Sequence, residues 1–291
     1  MQLFLASMHI KVLLKYYEIF NNKINVLLSY AYKNAAFPKF MIQDRDKIDG
    51  LILDSGAWTL NNTKCHKKIM DVPKGLIYYC QDVDTYFDYI FNYDSDFSVG
   101  GFKTCNYCNQ LEMEKAGLSP VPVVHDYYGK EEINHYIKRG YQRVALGSFE
   151  GRDYDAIDYA TKRLKDHGIK VHVFKMGSYS DLSRLPIDSA DASSWSQHAK
   201  FGCIILWNPM KPGEDKTVIL RMSDYLIKEN RNVPYFDEYE YRDEVEELIY
   251  ETTGITYNDL MGLDAHLYRQ VLNSYYYTRI QDLINNNNAS A

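Results

Sequence analysis

The sequence has no run of about 18 apolar residues, so we expect no transmembrane helix. It opens without a basic leader, and His9 and Lys11 interrupt the first apolar stretch, which argues against a signal peptide. Neither GxxxxGK(S/T) nor GxGxxG occurs, so ATP or NAD chemistry is not indicated. Five cysteines form no even disulfide framework, which is typical of a reducing compartment, and we expect a cytoplasmic protein.

Metal-ligand patterns are also scarce. Cys105 and Cys108 form one Cys-x-x-Cys pair, whereas a zinc site needs two more ligands and no second pair exists. The histidines show no metal-ligand spacing. We therefore expect neither a metal nor another cofactor.

What is present is a globular composition. The chain has 291 residues, of which 46% are hydrophobic and 25% charged, enough for one large domain or two smaller ones. The net charge is −6, but residues 237–259 hold nine acidic residues and one arginine, which leaves +2 on the remainder. Because nucleic-acid binding depends on local charge, this balance does not exclude a nucleic-acid partner.

Short apolar, β-rich runs alternate with helical patterns at intervals of roughly 20–40 residues, as βαβ units require. The predicted strands are Leu3–Ala6, Ile24–Ser29, Gly50–Asp54, Tyr89–Asp94, Val121–His125, Arg143–Gly147, Val171–Met176 and Leu185–Asp191. Helical patterns lie between them at Lys11–Phe20, Thr104–Ala116, Glu131–Lys138 and Tyr154–His167. The alternation predicts an α/β protein, a (β/α)8 TIM barrel over residues 1–210, with an open doubly wound sheet as the competing interpretation.

The pattern changes after residue 210. Glu238–Glu251 and Asn258–Leu283 have apolar residues at helical spacing. We expect residues 211–291 to form a C-terminal helical extension packed on the barrel.

Polar residues and glycines cluster where the predicted strands end. In a (β/α)8 barrel these ends share one face, and that face holds the active site. The candidates for substrate binding or catalysis at this face are Asp54, Asp94, His125, Gly147, Ser148, Met176, Gly177 and Asp191. The alternative for any single Asp or Ser is a helix N-cap.

Asp54 and Asp191 are the most suggestive pair. Two carboxylates on facing strand ends can divide the chemistry, one attacking an anomeric carbon while the other handles protons. Asp188 is an alternative nucleophile, and Asp94 is placed to hydrogen-bond a purine edge. Trp58 either stacks on a base or packs in the core.

These residues resemble the tRNA-guanine transglycosylase superfamily, especially the phage-type branch that inserts 7-deazaguanine bases into DNA. The family motif Asp-Ser-Gly-Gly-aromatic looks like Asp54-Ser55-Gly56-Ala57-Trp58, with Ala57 in place of the second glycine. The nucleophile segment is similar to residues 187–192, and the phage-type Val-Asp-Ser-Ser-Ser-Trp is close to Ala190–Trp195. Pro122–His125 and Ala145–Ser148 are further matches, and the resemblance covers residues 1–207.

The resemblance implies that Asp191 is the covalent nucleophile and Asp54 the general base. It also implies that Asp94, His125 and Gly147 read the base while Trp58 stacks on it. The tRNA enzymes hold a structural zinc in a Cys-x-Cys-x-x-Cys cluster after the barrel, and no cysteine follows Cys203 here. This departure weakens the interpretation that tRNA is the substrate.

The leading hypothesis is therefore exchange of guanine in DNA for a 7-deazaguanine such as preQ0, as in a virus that marks its genome against host restriction from within the host cytoplasm. One alternative is queuine-type exchange on tRNA. Another is a non-catalytic barrel that binds nucleic acid or a protein. Whether the chain acts as a homodimer or with an accessory protein stays open.

Overall fold

Eight parallel strands form one sheet that closes on itself. The computed structural model describes residues 1–62, 72–147, 153–222 and 233–289. The strands are Gln2–Ala6 (β1), Ile24–Ser29 (β2), Ile48–Asp54 (β3), Tyr89–Ile90 (β4), Val123–Val124 (β5), Arg143–Leu146 (β6), Lys170–Val173 (β7) and Ser189–Ala192 (β8). Their order is β4-β3-β2-β1-β8-β7-β6-β5, and a parallel bridge between Phe91 and Val121 joins the two end strands. The (β/α)8 barrel is confirmed, and the open doubly wound sheet is wrong.

Helices connect most of the strands on the outside of the barrel. Those between strands are Ile10–Phe20 (α1), Ala57–Asn62 (α2), Val72–Val83 (α3), Tyr107–Lys115 (α4), Lys130–Arg139 (α5), Tyr154–Lys165 (α6) and Tyr179–Leu182 (α7). Short 3-10 and π turns replace an α-helix between β2 and β3. Local sequence explains several ends, since Asp153 caps α6 by accepting from the Ala156 N–H, and Gly140 ends α5 at φ 73°.

The described part of the chain after β8 packs against the barrel. It contains Ser194–Lys200 (α8), Cys203–Trp207 (β9), Thr217–Arg221 (β10), Arg242–Thr253 (α9), Tyr257–Met261 (α10) and Ala265–Ala289 (α11). β9 and β10 form an antiparallel hairpin, so the segment after residue 210 is not wholly helical as expected. The expected continuous helix over 258–283 is also wrong, because Gly262 ends α10 with an extended ψ of −162°.

Side chains inside the barrel alternate with side chains outside it, because successive residues of a strand point to opposite faces. An inner cluster of eight residues fills the barrel: Phe4, Ala6, Leu27, Ile52, Phe91, Val121, Val123 and Ala145. A larger cluster lies between strands and helices. Since both faces are buried, the strands read as near-continuous apolar runs.

The end of the barrel at which β1 begins is tied to α11. Gln281 accepts hydrogen bonds from the Leu3 N–H at 2.7 Å and from Asn25 at 3.0 Å, and Tyr16 lies 3.1 Å from the Thr278 hydroxyl. These bonds secure the N-terminal ends of the strands and leave their carboxyl ends open. No helix in the described ranges is long and apolar enough to cross a membrane.

Candidate active site

A cavity of about 420 Å³ opens at the carboxyl ends of the barrel strands. Its size falls within the range of about 300–1,000 Å³ usual for small-molecule sites. Six of the predicted residues line it: Asp54, Trp58, Asp94, His125, Gly147 and Asp191. They come from five different strand ends, and the closed parallel barrel brings them together because all its carboxyl ends lie on one face.

Asp54 is the last residue of β3, in register with Ser29 of β2. Its Oδ2 accepts a hydrogen bond from the Gly56 N–H at 3.1 Å. Burial, together with the smaller effect of the charges of Asp94 and Asp191, raises the pKa of Asp54 to about 7. A carboxyl group with this pKa exchanges protons readily near neutral pH.

The turn after Asp54 requires one glycine. Gly56 has φ +75°, and a Cβ on it would lie 2.5 Å from the Cβ of Ala31. Ala57, which replaces the second glycine of the family motif, is buried as the first residue of α2. The replacement therefore leaves the tight turn intact.

Asp94 and His125 form a buried pair on the cavity wall. The His125 Nε2 lies 2.9 Å from Asp94 Oδ2, and the Ser55 hydroxyl donates to Asp94 Oδ1 at 3.3 Å. Gly147 makes room for the imidazole, since a Cβ there would lie 2.2 Å from His125 Cε1. The ring of Phe97 meets His125 edge-on at 5.3 Å. The wall thus presents hydrogen-bonding groups in fixed positions.

Asp191 lies in β8 and is 5% exposed. Its Oδ1 accepts a hydrogen bond from the Lys175 N–H at 2.9 Å. Lys175 has φ +56°, an uncommon backbone conformation for a residue with a side chain. The His172 Nε2 lies 3.7 Å from the same oxygen. One oxygen of Asp191 is therefore held by its surroundings.

Trp58 and Lys175 lie at the mouth of the cavity. Trp58 is 53% exposed, so core packing, the alternative use for this residue, is wrong. The Lys175 Nζ lies 4.1 Å from the centroid of the Trp58 ring, within cation–π range. Tyr32, Thr59 and Gln197 complete this side of the opening.

Three of the predicted residues lie elsewhere. Asp188 pairs with Lys165 at 3.0 Å and accepts from the Val171 N–H at 2.8 Å, at the start of β8 rather than its end. Met176 is fully buried outside the cavity lining, and Gly177 packs against Ala192 and Tyr277. Asp188, Met176 and Gly177 therefore do not line the cavity, contrary to the prediction. Ser148 lies outside the described residues.

Sequence reasoning missed Phe174 and Lys175, both of which line the cavity. Phe174 packs at 4.6 Å from Phe91 and forms an apolar floor. Phe174 directly follows β7 and lies two residues after His172, a spacing that indicates that both point into the barrel. The position of Lys175 depends on its positive φ angle, which no sequence pattern predicts.

The described residues contain no group of three or more His, Cys, Asp or Glu side chains placed to hold one metal ion. Cys105 and Cys108 are free thiols. The cavity instead offers three carboxyl groups with different surroundings, one of them poised to exchange a proton. That set is suited to nucleophilic and acid–base chemistry.

Comparisons with known proteins give little. No protein-family model matches the chain, and no curated protein matches it. Among solved structures, the YdjI aldolase from Escherichia coli K12 is 10% identical, with a TM-score of 0.47, over 98% of this chain and 90% of that chain. A likeness this weak carries no argument about family or chemistry.

Proposed function

We propose that this chain is a glycosyltransferase that exchanges guanine in DNA for a 7-deazaguanine base through a covalent ester on Asp191. The observation that carries the proposal is that Asp54 and Asp191 line one cavity. The pKa of Asp54 is raised to about 7, and one oxygen of Asp191 accepts a hydrogen bond from the Lys175 N–H. Residues 54–58 resemble a motif of the transglycosylase superfamily and residues 190–195 resemble its phage-type branch, which supports the same proposal.

In the first half-reaction, a carboxylate oxygen of Asp191 attacks C1′ of the deoxyribose. The C1′–N9 bond breaks, its electron pair goes to N9 of guanine, and the Asp54 carboxyl group gives N9 a proton. A carboxylate suits this attack because it stabilises oxocarbenium character at C1′ and later leaves. The product is a glycosyl ester on Asp191 and free guanine.

In the second half-reaction, N9 of the incoming 7-deazaguanine attacks C1′ while Asp54 takes its proton. The C1′–O bond breaks and the Asp191 carboxylate is regenerated. Two inversions at C1′ retain the β configuration. Asp54 thus acts first as acid and then as base, which a pKa of about 7 allows in both directions.

The remaining groups support purine binding. The base lies between the Trp58 side of the mouth and the Phe174 floor, with its polar edge toward Asp94 and His125. A guanine in a duplex must be flipped out to reach this depth. Lys175 is the one lysine or arginine among the described lining residues, so it is the group we assign to a flanking phosphate.

The test is incubation of the full chain with labelled preQ0 and, in parallel, duplex DNA, single-stranded DNA or tRNA, followed by nucleoside mass spectrometry. We expect label in DNA, and Asp191→Asn should abolish incorporation. Asp188→Asn is the matched control, because Asp188 lies outside the cavity, and it should retain activity. Label only in tRNA would reverse the substrate, and label in neither would favour a non-catalytic binding barrel.

A further inference from the structure

A partly buried polar chain lies inside the barrel next to Asp191. The Arg143 Nη1 donates to the Ser189 hydroxyl at 3.3 Å, and the same Oγ lies 3.0 Å from His172 Nδ1. The Tyr89 hydroxyl lies 3.3 Å from it as well. The other ring nitrogen of His172, Nε2, faces Asp191 Oδ1 at 3.7 Å. The mechanism above uses none of these four residues.

The surroundings of His172 are otherwise apolar. The ring is fully buried, with the rings of Phe91 at 4.8 Å and Phe174 at 4.9 Å. Burial lowers the pKa of His172, so the imidazole is neutral and carries one N–H. Within the described part of the chain, Nε2 has no hydrogen-bond partner. The Asp191 carboxylate faces it at 3.7 Å.

Donor counting limits where the protons of this chain can lie. A serine hydroxyl has one hydrogen and two lone pairs, and a guanidinium only donates, so Arg143 takes one lone pair of Ser189. Two arrangements remain. Either Ser189 donates to His172 Nδ1 and accepts from Tyr89, or His172 Nδ1–H donates to Ser189 and the Ser189 hydrogen goes to Tyr89.

The carboxylate selects the first arrangement. In the second, the lone pair of Nε2 faces Asp191, which is repulsive. In the first, Nε2–H faces the Asp191 carboxylate, which is attractive. We propose that His172, anchored at Nδ1 by Ser189 and kept as the Nε2–H tautomer by the facing carboxylate, is a positioning residue that orients Asp191 for attack. This inference rests on the proposed role of Asp191 as nucleophile.

The distance of 3.7 Å is longer than a hydrogen bond. Hydrogen bonds at catalytic groups often tighten only when substrate is bound. His172 and the Lys175 N–H then hold Oδ1 together, and Oδ2 is the oxygen directed at C1′. Removing the partner that orients a metal-ligating side chain typically costs about 10–100-fold, and we expect a loss of the same order here.

The functional arm measures covalent capture of guanine-containing DNA by the full chain on denaturing gels at saturating DNA. His172→Leu should slow capture by about 10–100-fold. His172→Gln keeps an N–H at the position of Nε2 and should restore most of the rate, which a merely structural role would not produce. Capture by His172→Leu at the wild-type rate would overturn the proposal.

The spectroscopic arm needs no activity. Histidine-selective ¹⁵N labelling reads the tautomer of each ring, and His172→Gln assigns the signal. We expect Nε2–H for His172, and a shift toward Nδ1–H in Asp191→Ala, because the carboxylate no longer selects the tautomer. Predominant Nδ1–H in the wild type, or no response to Asp191→Ala, would refute the inference.

The two arms separate this inference from the proposed function. If the wild type captures no nucleic acid, the exchange proposal fails, and the response of the tautomer to Asp191→Ala still decides whether His172 contacts Asp191. If capture occurs and both variants of His172 behave as wild type, only the positioning role fails.

Discussion

Replacing Asp54 with asparagine should stabilise the protein at high pH while it abolishes exchange. The fold raises the pKa of this carboxyl group from 3.8 to about 7, with burial as the largest cause and the charges of Asp94 and Asp191 next. The charged form is therefore unfavourable in the native state. Asparagine is close to the shape of the neutral acid and carries no charge to bury.

The rise of about three in pKa corresponds to about 4 kcal/mol, since each unit is worth about 1.4 kcal/mol. The folded pKa lies above the unfolded one, so the native state binds the proton more tightly. The stability associated with that proton is present below pH 4 and is lost as pH rises through about 7. Asp54→Asn should match the wild type near pH 4 and gain up to about 4 kcal/mol above pH 7.

Thermal unfolding from pH 4 to pH 9 measures this difference, with about 2–4 °C in Tm expected per kcal/mol. Asp188→Asn is the control of opposite sign, because it removes the ion pair with Lys165 and keeps an oxygen that can accept from the Val171 N–H. A gain for Asp54→Asn that is the same at every pH would contradict the reasoning. So would a loss of stability at pH 8.

The other predictions concern catalysis and binding. The first half-reaction, followed by covalent capture as kcat/KM, should fall as pH rises through about 7, whereas resolution of the ester by preQ0 should rise with pH. The pH midpoint of the second half-reaction should be lower than that of the first, because the ester removes the Asp191 charge that raises the Asp54 pKa. Rates of the two half-reactions that change in the same direction with pH would contradict this assignment. Lys175→Met, measured by fluorescence anisotropy in an Asp191→Asn background, should reduce the salt slope of DNA binding by about 0.7–0.9, and an unchanged slope would exclude a phosphate contact. Gly147→Ala should displace His125 and raise the KM for preQ0, because the new Cβ would lie 2.2 Å from the imidazole; an unchanged KM would remove His125 from base binding.

The barrel was predictable because its strands carry a strong local signal. Both faces of a parallel strand are buried, so runs such as Ile48–Asp54 are apolar and end abruptly at polar residues. The weakest predictions concerned short strands and the C-terminal region. Tyr89–Ile90 and Val123–Val124 each have only two residues, and β10, a five-residue strand with an apolar centre, was not predicted as a strand from the sequence.

The candidate site was predictable where one rule suffices. Parallel strands of a closed barrel end on one face, so Asp54, Asp94, His125 and Asp191 were expected to meet there. The rule failed where strand phase matters. Asp188 and Asp191 are three residues apart, and β8 turns one toward Lys165 and the other into the cavity.

The alternation of strands and helices, and with it the set of acids at one end of the barrel, can be inferred from the amino-acid sequence alone. The surroundings of each acid depend on how the strands and helices pack together. The pKa of Asp54 depends on burial and on two acids 40 and 137 residues away, and the contact of His172 with Asp191 depends on the register of β7 with β8. Such effects arise from distances across the barrel, which local sequence patterns do not encode.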